Sequence, residues 1–233
     1  MSQAATCSNA CLHCRRCGVV IYTERGQLIG RRSKGDSARV SFVNFVSREI
    51  NCKIVYYGPG LSGKTTNLRW IFEHSIAKTG EKMISLSTES DRTLFFDFLP
   101  VELGTVRGFK VRLHLYTVPG QVLYEPSRRL LLRGVDGVVL VADSQRERMK
   151  ANADALENLQ DNLRDHGYDF LTIPYLLQLN KRDLPTALPV ESMKGLLDRK
   201  GEPVIEAIAS KGVGVYETVM EIGRLVLAQL KQQ

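Results

Sequence analysis

Gly58-Pro59-Gly60-Leu61-Ser62-Gly63-Lys64-Thr65 sets glycines at its first and sixth positions, followed by a lysine and a hydroxyl. That spacing suits a phosphate chain. Glycines let the backbone curl until several N–H groups point inward at phosphate oxygens. A helix starting at the same place adds its N-terminal partial positive charge. Lys64 then reaches the β- and γ-phosphates, and the Thr65 hydroxyl becomes a ligand for Mg2+. Thr66 follows in the first turn and belongs to the same nucleotide-binding segment.

Asn180-Lys181-Arg182-Asp183 follows the apolar run Tyr175–Leu179. A carboxylate at Asp183 accepts from two adjacent N–H groups of guanine, a pattern adenine lacks, and a buried acceptor left without donors discriminates strongly. Lys181 packs its stem over the base and Asn180 ties this loop to the phosphate loop. At Ala209 or Ser210 a backbone N–H meets the guanine oxygen.

Thr117-Val118-Pro119-Gly120-Gln121 closes the run Lys110–Thr117. The Gly120 amide can approach a γ-phosphate because no side chain stands in the way. Gln121 is placed to orient an attacking water. The plain alternative is an ordinary strand exit. Thr93 is the candidate second hydroxyl on Mg2+. Arg92 beside it is either a solvated charge or an arginine that neutralises transition-state charge, a role worth ~10³–10⁵ in rate.

These segments need elements to hold them. Ile50–Tyr57 reads as a strand running into the glycine loop, and Thr65–Ala77 as the helix after it. Leu94–Leu99 and Lys110–Thr117 read as an antiparallel pair joined by a turn at Gly104–Gly108. Val135–Ala142 is a continuous apolar run of the kind a parallel sheet buries on both faces, and Tyr175–Leu179 reads as another buried strand. Ala151–Arg164 is a helix with Leu156, Leu159 and Leu163 on one stripe. Val204–Ala209 is a last strand. Val215–Leu230 is a closing helix with Val215, Val219, Ile222, Val226 and Leu230 on one face. Alternating strands and helices predict an α/β P-loop fold, a mostly parallel sheet with helices on both faces.

Composition sets the limits. Of 233 residues 43% are apolar and 24% charged, ordinary values for a globular domain. The net charge of +7 is uneven. Residues 1–39 hold seven Arg or Lys against two Asp or Glu, and the remainder 25 against 23. A near-neutral domain argues against nucleic acid as its ligand. No apolar run reaches the ~18 residues of a membrane span. The N-terminus lacks a signal-peptide layout, and neither end carries a lipidation motif, so a cytoplasmic protein is expected. Residues 1–47 read as a basic leader and 48–233 as the domain. Cys7, Cys11, Cys14 and Cys17 are spaced too tightly for a zinc ribbon. Val40, opening Val-Ser-Phe-Val-Asn-Phe, resembles an alternative start, so the leader is read as lying outside the working protein.

Together the four segments resemble the Ras-like small GTPases. Tyr56–Leu68, Arg92–Phe98 and His114–Gln121 are closer still to the MglA-type gliding-motility GTPases of bacteria, and the likeness covers about residues 42–230. It implies a GTP/GDP switch that marks a cell pole and directs motility effectors. It also implies a roadblock-type (MglB-like) GTPase-activating partner, Arg92 as an arginine acting in cis, and a second strand, Leu94–Leu99, that shifts along the sheet. The usual Asp at the end of the third strand is Thr117 here, a poorer partner for Mg2+ that the MglA-like group shares. Phe95, Phe96, Phe98 and Leu99 offer apolar surface near the switch, and Tyr124–Leu132 reads as a switch-II helix that a partner grips. Two other readings stand beside GTP hydrolysis. One is a nucleotide-gated scaffold. The other is an ATP-using kinase, which leaves Asn180–Asp183 without a purpose.

Overall fold

The computed structural model describes residues 19–21, 29–31, 42–76, 84–87, 93–118, 125–198 and 201–231. Val19–Ile21 (β1) and Ile29–Arg31 (β2) pair antiparallel in a small ladder of their own. The four clustered cysteines lie outside the described residues.

The main sheet is built from Phe42–Asn44 (β3), Glu49–Tyr57 (β4), Ile84–Ser87 (β5), Thr93–Val106 (β6), Phe109–Thr117 (β7), Gly137–Asp143 (β8), Tyr175–Asn180 (β9) and Val204–Glu206 (β10). Its order is β10-β9-β8-β4-β7-β6-β5. Strands β7, β4, β8, β9 and β10 run parallel, β6 and β5 are antiparallel additions at one edge, and β3 pairs antiparallel with the start of β4. Among the described residues, the main sheet therefore begins at Phe42, ahead of residue 48.

The helices are Lys64–Ile71 (α1), Glu125–Leu132 (α2), Met149–Asp165 (α3), Val190–Leu197 (α4) and Val215–Leu230 (α5). Period-2 alternation sorts β4 between them. Ile54 and Tyr56 join Leu68, Ile71, Val219 and Ile222 under α1 and α5. Val55 and Tyr57 join Leu132, Leu156, Leu159 and Met193 under α2, α3 and α4. In β8, Val139 and Val141 face the first cluster, and Val138 and Leu140 the second. These are the continuous apolar runs of the sequence, buried on both faces.

Some boundaries differ from the expected ones. Helix α1 stops as an α-helix at Ile71 and continues as a wider π turn over Phe72–Ile76, with the His74 ring stacked on Trp70. Gly104 pairs with Val111 within β6 just after a bulge that leaves Leu103 without an opposite residue, so it is not part of the turn. The hairpin turns on Arg107 and Gly108, both at positive φ, the type I′ geometry that matches strand twist. Val135 sits in the turn before β8, and the last strand ends at Glu206.

Strand β4 has β7 on one side and β8 on the other, both parallel to it. The chain thus leaves β4 in opposite directions, which opens a crevice beyond its carboxyl end, where α/β sheets hold ligands.

Candidate functional site

The glycine loop lies in that crevice, between Tyr57 and α1. Gly58 has φ 140°, and a Cβ there would stand 2.3 Å from the Val141 carbonyl oxygen of β8. Gly63 has φ 100°, and a Cβ there would come within 2.1 Å of Asn180 Nδ2. Neighbouring strands thus require glycine at both places. Leu61, exposed at the loop apex, also has positive φ. A non-glycine residue there costs about 1–2 kcal/mol.

Side chains from three directions hold the loop carbonyls. Lys64 is nearly buried, and its Nζ donates to Gly58 O at 2.9 Å and Pro59 O at 2.7 Å. Arg148 Nη2 donates to Gly60 O at 2.6 Å. Asn180 Nδ2 donates to Ser62 O at 2.7 Å. Within the first turn of α1, Thr65 is half-buried and Thr66 exposed.

Asn180 ends β9, and its other amide atom is used too: Oδ1 accepts the Ala209 N–H at 2.9 Å. One buried amide group thus joins the glycine loop to the turn after β10. The Ala209 N–H is occupied by this bond, and Ser210 follows it in the same turn, exposed. Lys181, at φ 65°, places Nζ 2.6 Å from Asp143 Oδ2. Asp183 pairs with Lys211 at 3.4 Å, beside the same turn. The Arg182 guanidinium is directed elsewhere, to Glu206 Oε2 at 2.8 Å and Leu188 O at 2.6 Å.

Thr117 is fully buried, paired with Tyr56 in the β4–β7 ladder. The Val118 N–H extends that ladder to Tyr56 O at 3.2 Å. Pro119, Gly120, Gln121 and Arg92 lie outside the described residues, as do the side chains of Thr93 and Phe95–Phe98. Leu99 is fully buried. Helix α2 is the expected helix after Gln121, with Arg128 buried in it.

The structure adds residues that the motifs did not name. Asp143, fully buried at the end of β8, gathers Lys181, the Gln145 amide and Arg148 around one carboxylate. Beneath the loop, Asn67 and Gln178 exchange amide bonds of 2.9 and 3.0 Å, and Gln178 donates onward to Thr218 at 2.8 Å. Asn67 also donates to Gly63 O at 2.9 Å. This network ties α1, β9 and α5 together. A charged residue ending an apolar strand was the available signal for Asp143; its partners lie too far along the chain to be read as one motif.

Among the described residues, no three His, Cys, Asp or Glu side chains gather as a metal site. The threonines at this end, Thr65 and Thr117, are neutral. Such a donor set suits Mg2+ carried in on phosphate oxygens, and suits poorly a metal held by the protein alone. No helix among the described residues is long and apolar enough to cross a membrane.

The chain is 61% identical over 193 residues to the Mutual gliding-motility protein MglA of Myxococcus xanthus (strain DK1622), an alignment that spans 83% of this chain and 99% of that protein. No protein-family model matches the chain.

Proposed function

The chain belongs to the family of MglA gliding-motility proteins, and from that premise we propose that it is a guanine-nucleotide switch that hydrolyses GTP to GDP. The observation that carries this reading is the pair of hydrogen bonds made by the Asn180 side chain, donated to Ser62 O and accepted from Ala209 N. It makes one rigid unit of a loop shaped for phosphates and the two segments, Lys181–Asp183 and Ser210–Lys211, suited to a purine. A kinase that reads adenine has no use for a carboxylate at Asp183 aimed at two N–H donors.

In this reading the amides of Gly58–Thr65 and the Lys64 ammonium hold the phosphates. Lys64 exchanges the Gly58 and Pro59 carbonyls for β- and γ-phosphate oxygens. Lys181 lies along the base, Asp183 binds its N–H edge and Ser210 its oxygen. Val118, Pro119 and Gly120 line the γ-phosphate side. Hydrolysis joins a water oxygen to the γ-phosphorus and breaks the bond to the β–γ bridging oxygen. It leaves GDP and phosphate, with the water's proton on phosphate. Gln121 orients that water and Arg92 neutralises the charge that develops. Thr65 and Thr93 would hold Mg2+, which supplies positive charge across the phosphate oxygens when bound. With buried Thr117 in place of a carboxylate, its hold on the protein is weak and depends on the nucleotide.

The same reading assigns the chain a role in cell polarity and gliding motility within the cytoplasm, concentrated at a pole. There a roadblock-type activating partner grips α2 and the β6 edge. The test begins with the nucleotide that co-purifies with the protein. GDP or GTP is expected, and an adenine nucleotide would overturn the reading. Phosphate release from GTP should exceed that of Lys64→Ala, and Asp183→Asn should weaken GTP and favour xanthine nucleotides.

A further inference from the structure

We propose that Arg148, set against the buried carboxylate of Asp143, is a positioning residue that governs how fast nucleotide leaves the glycine loop. The inference rests on the nucleotide reading above and adds to it residues that lie outside all four motifs.

A phosphate cradle needs its N–H groups turned inward, which turns carbonyls outward. Each outward carbonyl then needs a donor or it opposes the fold of the loop. Asn180 serves Ser62 O from the base side. At the apex, Gly60 O is served by Arg148 Nη2 at 2.6 Å, across 88 residues of sequence. Arg148 is itself placed by short-range geometry. It closes the single turn Arg146–Arg148 ahead of α3, and its own N–H donates to Gln145 O at 2.9 Å.

Asp143 fixes the direction of the guanidinium. Arg148 Nε stands 3.8 Å from Asp143 Oδ2, and the same oxygen is 2.6 Å from Lys181 Nζ. The carboxylate is fully buried, and its own backbone is bound on both sides by Asn152: Asp143 N donates to Asn152 Oδ1 at 3.0 Å, and Asn152 Nδ2 to Asp143 O at 2.8 Å. It therefore does not move to follow its partners; they orient to it. Two cations of different duty, one on the phosphate loop and one on the base loop, thus share one fixed anion. Loss of Arg148 frees Gly60 O and leaves the apex, already strained at Leu61, without a tether.

The experiment measures release of fluorescent GDP from the full-length protein and from Arg148→Ala, Arg148→Lys and Asp143→Asn. Arg148→Ala should release GDP about tenfold faster, the worth of one hydrogen bond from a charged donor. Arg148→Lys keeps a cationic donor and should recover most of that factor. Asp143→Asn should also speed release, and the double variant with Arg148→Ala should fall short of the product of the two, because the residues act together. The urea midpoint of nucleotide-free Arg148→Ala, measured alongside, should lie close to that of the parent. Release unchanged in Arg148→Ala, no recovery with lysine, or fully independent effects of the two residues would each overturn the proposal. A parent protein that fails to retain guanine nucleotide would overturn the functional reading instead.

Discussion

Replacing Asn180 with alanine tests the joint on which the site depends. The side chain is 2% exposed and its two polar atoms have different, non-exchangeable partners: Ser62 O can only accept, and Ala209 N–H can only donate. The amide orientation follows from that chemistry alone. Asn180→Ala leaves a carbonyl and an N–H unpaired in a place with little access to water. Each costs about 1–3 kcal/mol, so the total is about 2–6 kcal/mol. A domain of this kind is stable by about 5–15 kcal/mol, so the variant remains foldable but weakened. With a urea slope of about 2 kcal/mol per M, the midpoint should fall by about 1–3 M. GDP release should quicken at the same time, because phosphate loop and base loop are no longer held in one geometry. Asn180→Asp separates the two arms. It keeps the acceptor for Ala209 N–H but presents oxygen to oxygen at Ser62, and should lose at least as much as alanine. A midpoint shift under about 0.5 M, with unchanged release, would refute the reasoning: the two loops would then be held independently of Asn180.

Three further outcomes follow from the same geometry. Gly63→Ala places a Cβ 2.1 Å from Asn180 Nδ2 at φ 100°; it should impair nucleotide retention about as much as Asn180→Ala, and the double variant should be little worse than either, read by GDP release. Lys64→Ala removes an ammonium that makes two short bonds, and should weaken GDP and GTP by on the order of 100-fold, with the helical circular dichroism unchanged. Cys52 is fully buried in β4, and burial foremost, with the Asp136 charge second, raises its thiol well above the ordinary range. Its folded pKa therefore exceeds the unfolded one. That contribution to stability is complete below the unfolded pKa near 9 and is lost as pH climbs beyond it, because only the unfolded chain ionises there. Peptide mapping after alkylation at pH 8.5 should find Cys52 unlabelled in the native protein and labelled in urea.

The parallel half of the fold was readable because β8 is apolar up to its last residue and β9 carries Tyr175, Leu176, Leu177 and Leu179, and the closing helix because Val215, Val219, Ile222 and Val226 fall on one buried stripe. The antiparallel edge was legible only in part. In β6, Leu99 and Val101 are buried, but the bulge between Glu102 and Gly104 breaks the period-2 pattern, so the strand seemed to end at residue 99. Strand β5, Ile-Ser-Leu-Ser, is four residues long, pairs with β6 alone and shows no apolar run. In the candidate site, the glycine loop, Asn180 and Asp183 stand out in the sequence because their spacing is local. Asp143 and Arg148 do not, since their meaning depends on Lys181 and Gly60, 38 and 88 residues away. Arg182 shares the local spacing of Asn180 and Asp183, while its guanidinium holds Glu206 and the Leu188 carbonyl, 24 and 6 residues away.

The side-chain bonds of the site divide the sheet unevenly. Asn180, Asp143 and the Asn67–Gln178–Thr218 chain lock the glycine loop, β8, β9, α1 and α5 to one another. Toward β6 the ladders β4 to β7 and β7 to β6 are accompanied by side-chain ties near the strand starts, Arg112 to Glu49 at 3.5 Å, His114 Nε2 to Asn51 Oδ1 at 2.8 Å and the exposed pair Lys110–Glu102 at 3.8 Å. A ladder can exchange one register for another at equal hydrogen-bond count, whereas a buried side-chain joint cannot. The faces of β6 limit how such a step could be made. Leu99 and Val101 are buried and Glu102 is exposed, so a one-residue slip would drive leucine and valine outward, while a two-residue slip keeps them inside. Strand β5 covers β6 only over Thr93–Phe98, and Pro100, which has no N–H to lose, stands just past that cover. Under the proposed function, a two-residue step of β6 would leave the joints at Asn180 and Asp143 assembled, because neither joint involves β6.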